Sequence, residues 1–187
     1  MTLSHEVECD EAYVIAGHKG LHEVVQNTGR KGRRNRLKGK CGRGTLEKER
    51  PPVFGMIQRC GQVVIQMLEN VQQVTIEPLI KQTVVPGTLI YTDYYNIYGR
   101  VAEWGYEHKS VNHGLGEYAR DGDEDGFCEV HVNTMEGFWS LLRSRLRPHR
   151  GISQEKLPIY LGFFEFVHNA RKRAKALLYS RIELLVK

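Results

Sequence analysis

The apolar residues of this chain fall in short β-branched and aromatic runs up to about residue 112, and in long helical stripes after residue 133. VECDEAYVIAGH alternates from Val7 onward, and its Val7, Tyr13, Val14 and Ile15 predict a strand ending near Gly17. VFGMIQRCGQVVIQML reads as a hairpin, with Gly61 supplying the turn. Thr75 is the expected N-cap of a helix over TIEPLIKQTV, with Glu77 and Pro78 in its first turn. Pro86-Gly87 breaks to TLIYTD, a buried strand ending at Asp93. Tyr94 to Tyr98 are expected to begin a helix, and Tyr106 to Asn112 to form another strand.

Asn133 to about Arg147 is predicted helical and stopped by Pro148. Ser153 is the expected cap of a final helix carrying Leu157, Leu161, Phe164 and His168 at helical spacing. The element order implies a mixed α/β sheet flanked by helices, compatible with an RNase H-like arrangement. At 187 residues the length suits one domain. The chain shows no apolar run of membrane length and no basic-then-apolar leader, so a soluble, cytoplasmic protein with no membrane partner is expected. Cys9, Cys41, Cys60 and Cys128 are scattered without ligand spacing, which argues for reduced thiols over a zinc site.

The net charge of +5 hides a division. Residues 30–50 carry ten Lys/Arg against two Glu, and residues 137–187 carry eleven against three, so the remainder is strongly acidic. Cations for phosphates together with carboxylates for metal is what a nucleic-acid enzyme needs, although solvated basic faces have the same composition. The stretch from about Gly29 to Arg50 reads as a loop or flexible arm. Its Arg30, Lys31, Arg33, Arg34, Arg36, Lys38 and Lys40 suit non-specific phosphate contacts. The C-terminal helix expected over about 153–187 is also basic.

Three acids stand out. Asp10 lies inside the first strand, where a carboxylate is costly unless paired or metal-bound. Asp93 closes an apolar strand, and strand ends in α/β sheets are common ligand sites. Glu136 lies in the first turn of a helix whose apolar stripe is Met135, Trp139, Leu142 and Leu146. Asn133, Glu136, Ser140 and Arg143 form a second, polar stripe on it. Such acids could hold two Mg²⁺ ions about 4 Å apart for phosphodiester chemistry. A helix-dipole role for Glu136 and a turn role for Asp93 are the plainer alternatives. Asp121, Asp123, Asp125 and Gly126 match the opening of a calcium loop, but its twelfth position is Val132, so an acidic loop is expected instead.

The strings VECDEAYVIAGHKG, PPVFGMIQRCG, LIYTDYYNIYG, HKSVNHGLGEYARD and HVNTMEGFWSLLRSRLRPHRGI resemble, in order, the insertion-sequence DDE transposases related to the eukaryotic Merlin elements. The resemblance implies an RNase H-like catalytic core that uses two Mg²⁺ or Mn²⁺ ions to cleave element ends and transfer 3′-hydroxyls to target DNA. It also implies a homo-oligomer on paired ends, in a nucleoid-associated bacterial protein. By position it carries the family's aspartates to Asp10 and Asp93, and its third ligand to Glu136 or Asn133. An anionic oxygen favours Glu136. The family's basic residue falls on Arg143, a DNA contact through a planar fork. Ala12 stands where the family has threonine, and Tyr94 where it has an acid. The family's N-terminal DNA-recognition region is not seen, so a truncated chain is expected. That leaves a DNA-binding remnant without turnover as the alternative, with a metal-dependent nuclease or resolvase behind it.

Overall fold

A computed structural model describes residues 2–27, 44–47, 49–112, 116–117, 119–122, 126 and 128–186. The strands are β1 (Glu6–Tyr13), β2 (Ala16–Gly17), β3 (Pro52–Gln58), β4 (Val63–Met67), β5 (Leu89–Asp93), β6 (Glu107–Val111) and β7 (Ile152–Ser153). The helices are α1 (His22–Asn27), α2 (Gln73–Thr83), α3 (Asn133–Leu146) and α4 (Leu157–Val186). The main sheet has the order β4-β3-β1-β5-β6, and β2 and β7 form a separate parallel pair. β1 runs antiparallel to β3 from Val7↔Gln58 to Tyr13↔Pro52, and parallel to β5 on its other side. An antiparallel meander extended by two parallel strands beside its first member is the RNase H-like arrangement, as expected.

The period of two divides the sheet residues between two cores. Val7, Cys9, Phe54, Met56 and Ile90 pack with Ile76 and Ile80 of α2. Ala12, Val53, Ile57, Val63 and Ile65 pack with the Met135, Phe138, Trp139, Leu142 and Leu146 side of α3, and with Leu157, Leu161 and Phe164 of α4. The predicted stripes of both C-terminal helices are therefore the buried ones, except that His168 is only half-buried. α3 comes so close to β3 that a Cβ on Gly55 would collide with Met135 and Trp139.

The edge strand β4 is covered by polar side chains of α4. Asn169 Oδ1 accepts from the Val63 N–H, and its Nδ2 donates to the Val63 carbonyl, both at 2.8 Å. The Ile65 N–H donates to Glu165 at 3.0 Å. A strand edge satisfied in this way offers no template to another chain.

Several local expectations are corrected. In the hairpin the left-handed residue is Cys60 (φ 59°), not Gly61. Gly61 is instead pressed against the Gln58 side chain. α2 starts at Gln73 after an uncapped Gln72, and the Thr75 hydroxyl donates to Asn70 at 2.8 Å. The earlier start puts Pro78 inside the helix rather than in its first turn, where it costs a backbone hydrogen bond. Residues 94–98 yield only a 3₁₀ turn, Asn96–Tyr98, because β5 passes straight into tight turns. Ser153 pairs in β7 with Gly17 rather than capping α4, and its buried Oγ makes no hydrogen bond. No helix among the described residues is long and apolar enough to cross a membrane.

Candidate active site

Parallel pairing of β1 with β5 ends at Glu8↔Tyr91. Two residues further in that register, Asp10 lies beside Asp93, where β5 ends and its pairing with β1 has stopped. One oxygen from each of Asp10, Glu11 and Asp93 lies within 4.8 Å of the others. Glu11 comes from the opposite face of β1, where its Oε2 accepts the Tyr98 hydroxyl at 2.8 Å. Burial, then the Glu11 charge, holds that phenol well above its ordinary pKa, so it remains a donor. Asp93 Oδ1 is buried and accepts no hydrogen bond.

Burial is the main reason that the Asp10 carboxyl is pushed up to about 6, and the neighbouring Asp93 charge adds to it. The Trp139 indole and the Glu11 backbone N–H pull the other way, while Glu136 raises it slightly further. The indole N–H donates to Asp10 Oδ2 at 2.9 Å. Its path is opened by Gly55, which pairs with Asp10 across β1 and β3. A side chain at Gly55 would occupy the space through which the tryptophan reaches the carboxylate.

Glu136 is exposed in the first turn of α3, outside the 4.8 Å group but near enough for its charge to act on Asp10. Asn133 is the exposed first residue of α3, and Arg143 lies exposed two turns beyond Glu136. Arg30, Lys31, Arg33, Arg34, Arg36, Lys38 and Lys40 lie outside the described residues, as do Asp123, Asp125 and His113. Within the acidic loop, Glu129 is occupied by protein donors. It accepts the Gly122 N–H and Lys109, which hold its carboxyl down at about 2.

The orientation of α3 depends on a residue absent from the sequence-based set. Val132 precedes the helix and has no side chain that can cap it. Glu8, fully buried on the same face of β1 as Asp10, does so from the sheet. Its Oε2 accepts the Met135 backbone N–H at 2.9 Å and its Oε1 the Thr134 hydroxyl at 2.9 Å. Arg59 completes the cluster, with Nε on Glu8 at 2.9 Å, Nη2 on the His131 carbonyl at 2.9 Å, and its guanidinium 3.8 Å from the Tyr91 ring centroid. Sequence reasoning missed Glu8, Glu11, Arg59 and the polar role of Trp139. The available signal was the alternation that puts Glu8 and Asp10 on one strand face.

A mixed sheet of this order, with three carboxylates gathered where its central strands end, defines the class: an RNase H-like α/β protein with an acidic strand-end site. The comparisons give the particular family. Residues 2–169 match the model of the ISXO2-like transposase domain, and the chain belongs to that family. It is 34% identical over 184 residues to an uncharacterized protein in transposable element ISH50 of Halobacterium salinarum, covering 97% of this chain and 58% of that relative. It is 28% identical over 105 residues to an uncharacterized transposase-like protein of Haemophilus influenzae, covering 55% of this chain and 77% of the relative. Among solved structures, the catalytic core domain of BIV integrase aligns over 87% of this chain and 81% of its own, at 11% identity and TM-score 0.47. A chain of the simian T-cell lymphotropic virus intasome in complex with PP2A regulatory subunit B56 gamma aligns over 88% and 48%, at 10% identity and TM-score 0.45.

Proposed function

We propose that the chain carries out metal-dependent DNA strand cleavage and 3′-hydroxyl strand transfer during movement of an insertion sequence. The observation behind this reading is the convergence of Asp10, Glu11 and Asp93 oxygens within 4.8 Å at the strand ends, in a chain of a transposase family. The donor set is all carboxylate, the hard-oxygen chemistry that suits Mg²⁺ or Mn²⁺. A carboxyl raised to about 6 by burial and by its neighbours favours a cation beside it at neutral pH.

Asp10 and Asp93 would hold the ions, with Glu136 closing the site from α3 and Glu11 adding an oxygen from below. Asn133, one turn before Glu136, is the weaker alternative as third ligand. When bound, the cations supply the charge that activates the attacking hydroxyl and stabilises the leaving oxygen. The protein's own contribution is placement. Trp139 fixes one oxygen of Asp10, Tyr98 fixes one of Glu11, and Glu8 sets the start of α3 and with it the height of Glu136. Arg143 and the basic arm supply phosphate contacts, and a pair of copies would act on paired element ends.

The test is strand cleavage and joining on a pre-nicked duplex with a free 3′-hydroxyl, in Mg²⁺ or Mn²⁺. Wild type is expected to give joined product, and Asp93→Asn and Glu136→Gln to lose it. Binding of DNA without any product from wild type would leave a DNA-binding protein without turnover.

A further inference from the structure

α3 runs in step with β1: Met135 meets Glu8, Trp139 meets Asp10, and further along Leu146 comes beside Val14. Beyond Asp10 and Trp139, residues after β1 and at the end of α3 line a cleft of about 440 Å³, within the size range that takes a nucleotide-sized group. Its floor is apolar, formed by Val14, Ile15, Leu146 and Ile152. Three arginines, Arg50, Arg143 and Arg147, are also among its lining residues. Arg50 is held there by its neighbours, since the Val14 N–H donates to the Pro51 carbonyl at 3.2 Å and the Ala16 N–H to the Glu49 carbonyl at 3.0 Å.

The charges of these arginines are not used inside the fold. Arg59, Arg100, Arg120, Lys81 and Lys109 each pair with a carboxylate. Among the described residues, Arg50, Arg143 and Arg147 pair with none. Three unneutralised cations in one cleft repel each other and attract a polyanion. A duplex backbone would need only the cations. The apolar floor, with Ile15 41% exposed, calls for a flat apolar group as well.

We propose that this cleft receives an unpaired nucleotide of the DNA strand passing through the carboxylate site, with phosphates on Arg50, Arg143 and Arg147 and the base on the floor around Ile15. Along α3, Arg143 stands seven residues, about 10 Å at about 1.5 Å each, beyond Glu136. That is roughly three nucleotide steps. The assignment of the strand rests on the proposed function, but binding to the cleft does not require catalysis.

The test therefore uses equilibrium binding in EDTA, where no strand chemistry proceeds. The probes are a short fluorescein-labelled duplex of arbitrary sequence and the same duplex with one strand extended by a few unpaired nucleotides. Wild type should bind the extended duplex about tenfold more tightly. Ile15→Ser should lose that preference while binding the blunt duplex unchanged. Arg50→Ala/Arg147→Ala should weaken binding to both and lower the slope of log affinity against log salt by roughly two. Equal binding of the two probes by wild type, or a preference that survives Ile15→Ser, overturns the proposal. Because the readout is binding in the absence of divalent metal, failure of the carboxylate reading would leave this result intact.

Discussion

Glu8 and Asp10 are two residues apart on one face of one strand, and the structure treats them in opposite ways. Glu8 is fully buried, and Arg59, the Thr134 hydroxyl and the Met135 N–H complete its hydrogen bonds. Asp10 has one side-chain donor, Trp139, and faces the carboxylates of Asp93 and Glu11. A carboxylate that serves the fold is satisfied by the fold's own donors and cations. One crowded among other acids at a strand end is destabilising there, and the cost makes sense when a cation is to be bound. The difference sets an acid that serves the fold apart from the acid proposed to hold a cation.

Substitution at the two positions should move stability in opposite directions. Glu8→Ala leaves Arg59 without its buried partner and the start of α3 without its acceptor. It should cost about 3–5 kcal/mol in urea unfolding. A loss below about 1 kcal/mol would erase the distinction. Asp10→Asn removes charge from an acid that burial and Asp93 push up to about 6. It should stabilise the metal-free protein by roughly 1–3 kcal/mol at pH 7.

The same raised carboxyl sets a pH dependence. The folded group keeps its proton up to about 6, whereas the unfolded one releases it near 3.8. Between these values the folded state binds more protons, so this contribution to stability falls as pH rises through the window. Urea melts at a series of pH values should show that decline in wild type, and Asp10→Asn should flatten it. A smaller effect sharpens the comparison further. Trp139→Phe removes the one side-chain donor to Asp10 while largely keeping the core packed. It should cost about 1 kcal/mol and raise the Asp10 pKa further, as followed by carboxyl NMR titration.

The strands and the buried stripes of the last two helices were legible because period-two and period-3.6 burial is local information. Asp10 and Asp93 were legible as acids in apolar strands, and the parallel register brings them together. Glu11 was not, since alternation assigns it to the other face. Only the end of β1, past its last pairing with β5, lets its carboxylate reach round. The capping role of Glu8 was out of reach because its acceptor contact spans 127 residues, and no local pattern encodes it. Turn details failed for a similar reason. Cys60 adopts the left-handed conformation, while the glycine beside it makes room for the Gln58 side chain.

The most direct test is Mn²⁺ binding to the chain at pH 7, followed by electron paramagnetic resonance and by the shift in melting temperature. Wild type should bind the ion and melt higher in its presence, since a ligand that binds only the folded state stabilises it. Asp10→Asn and Asp93→Asn should lose both signals, whereas Glu107→Gln, exposed at the start of the edge strand β6, should keep them. Equal binding by all four proteins, or none by wild type, would contradict the assignment of the strand-end carboxylates as the metal site.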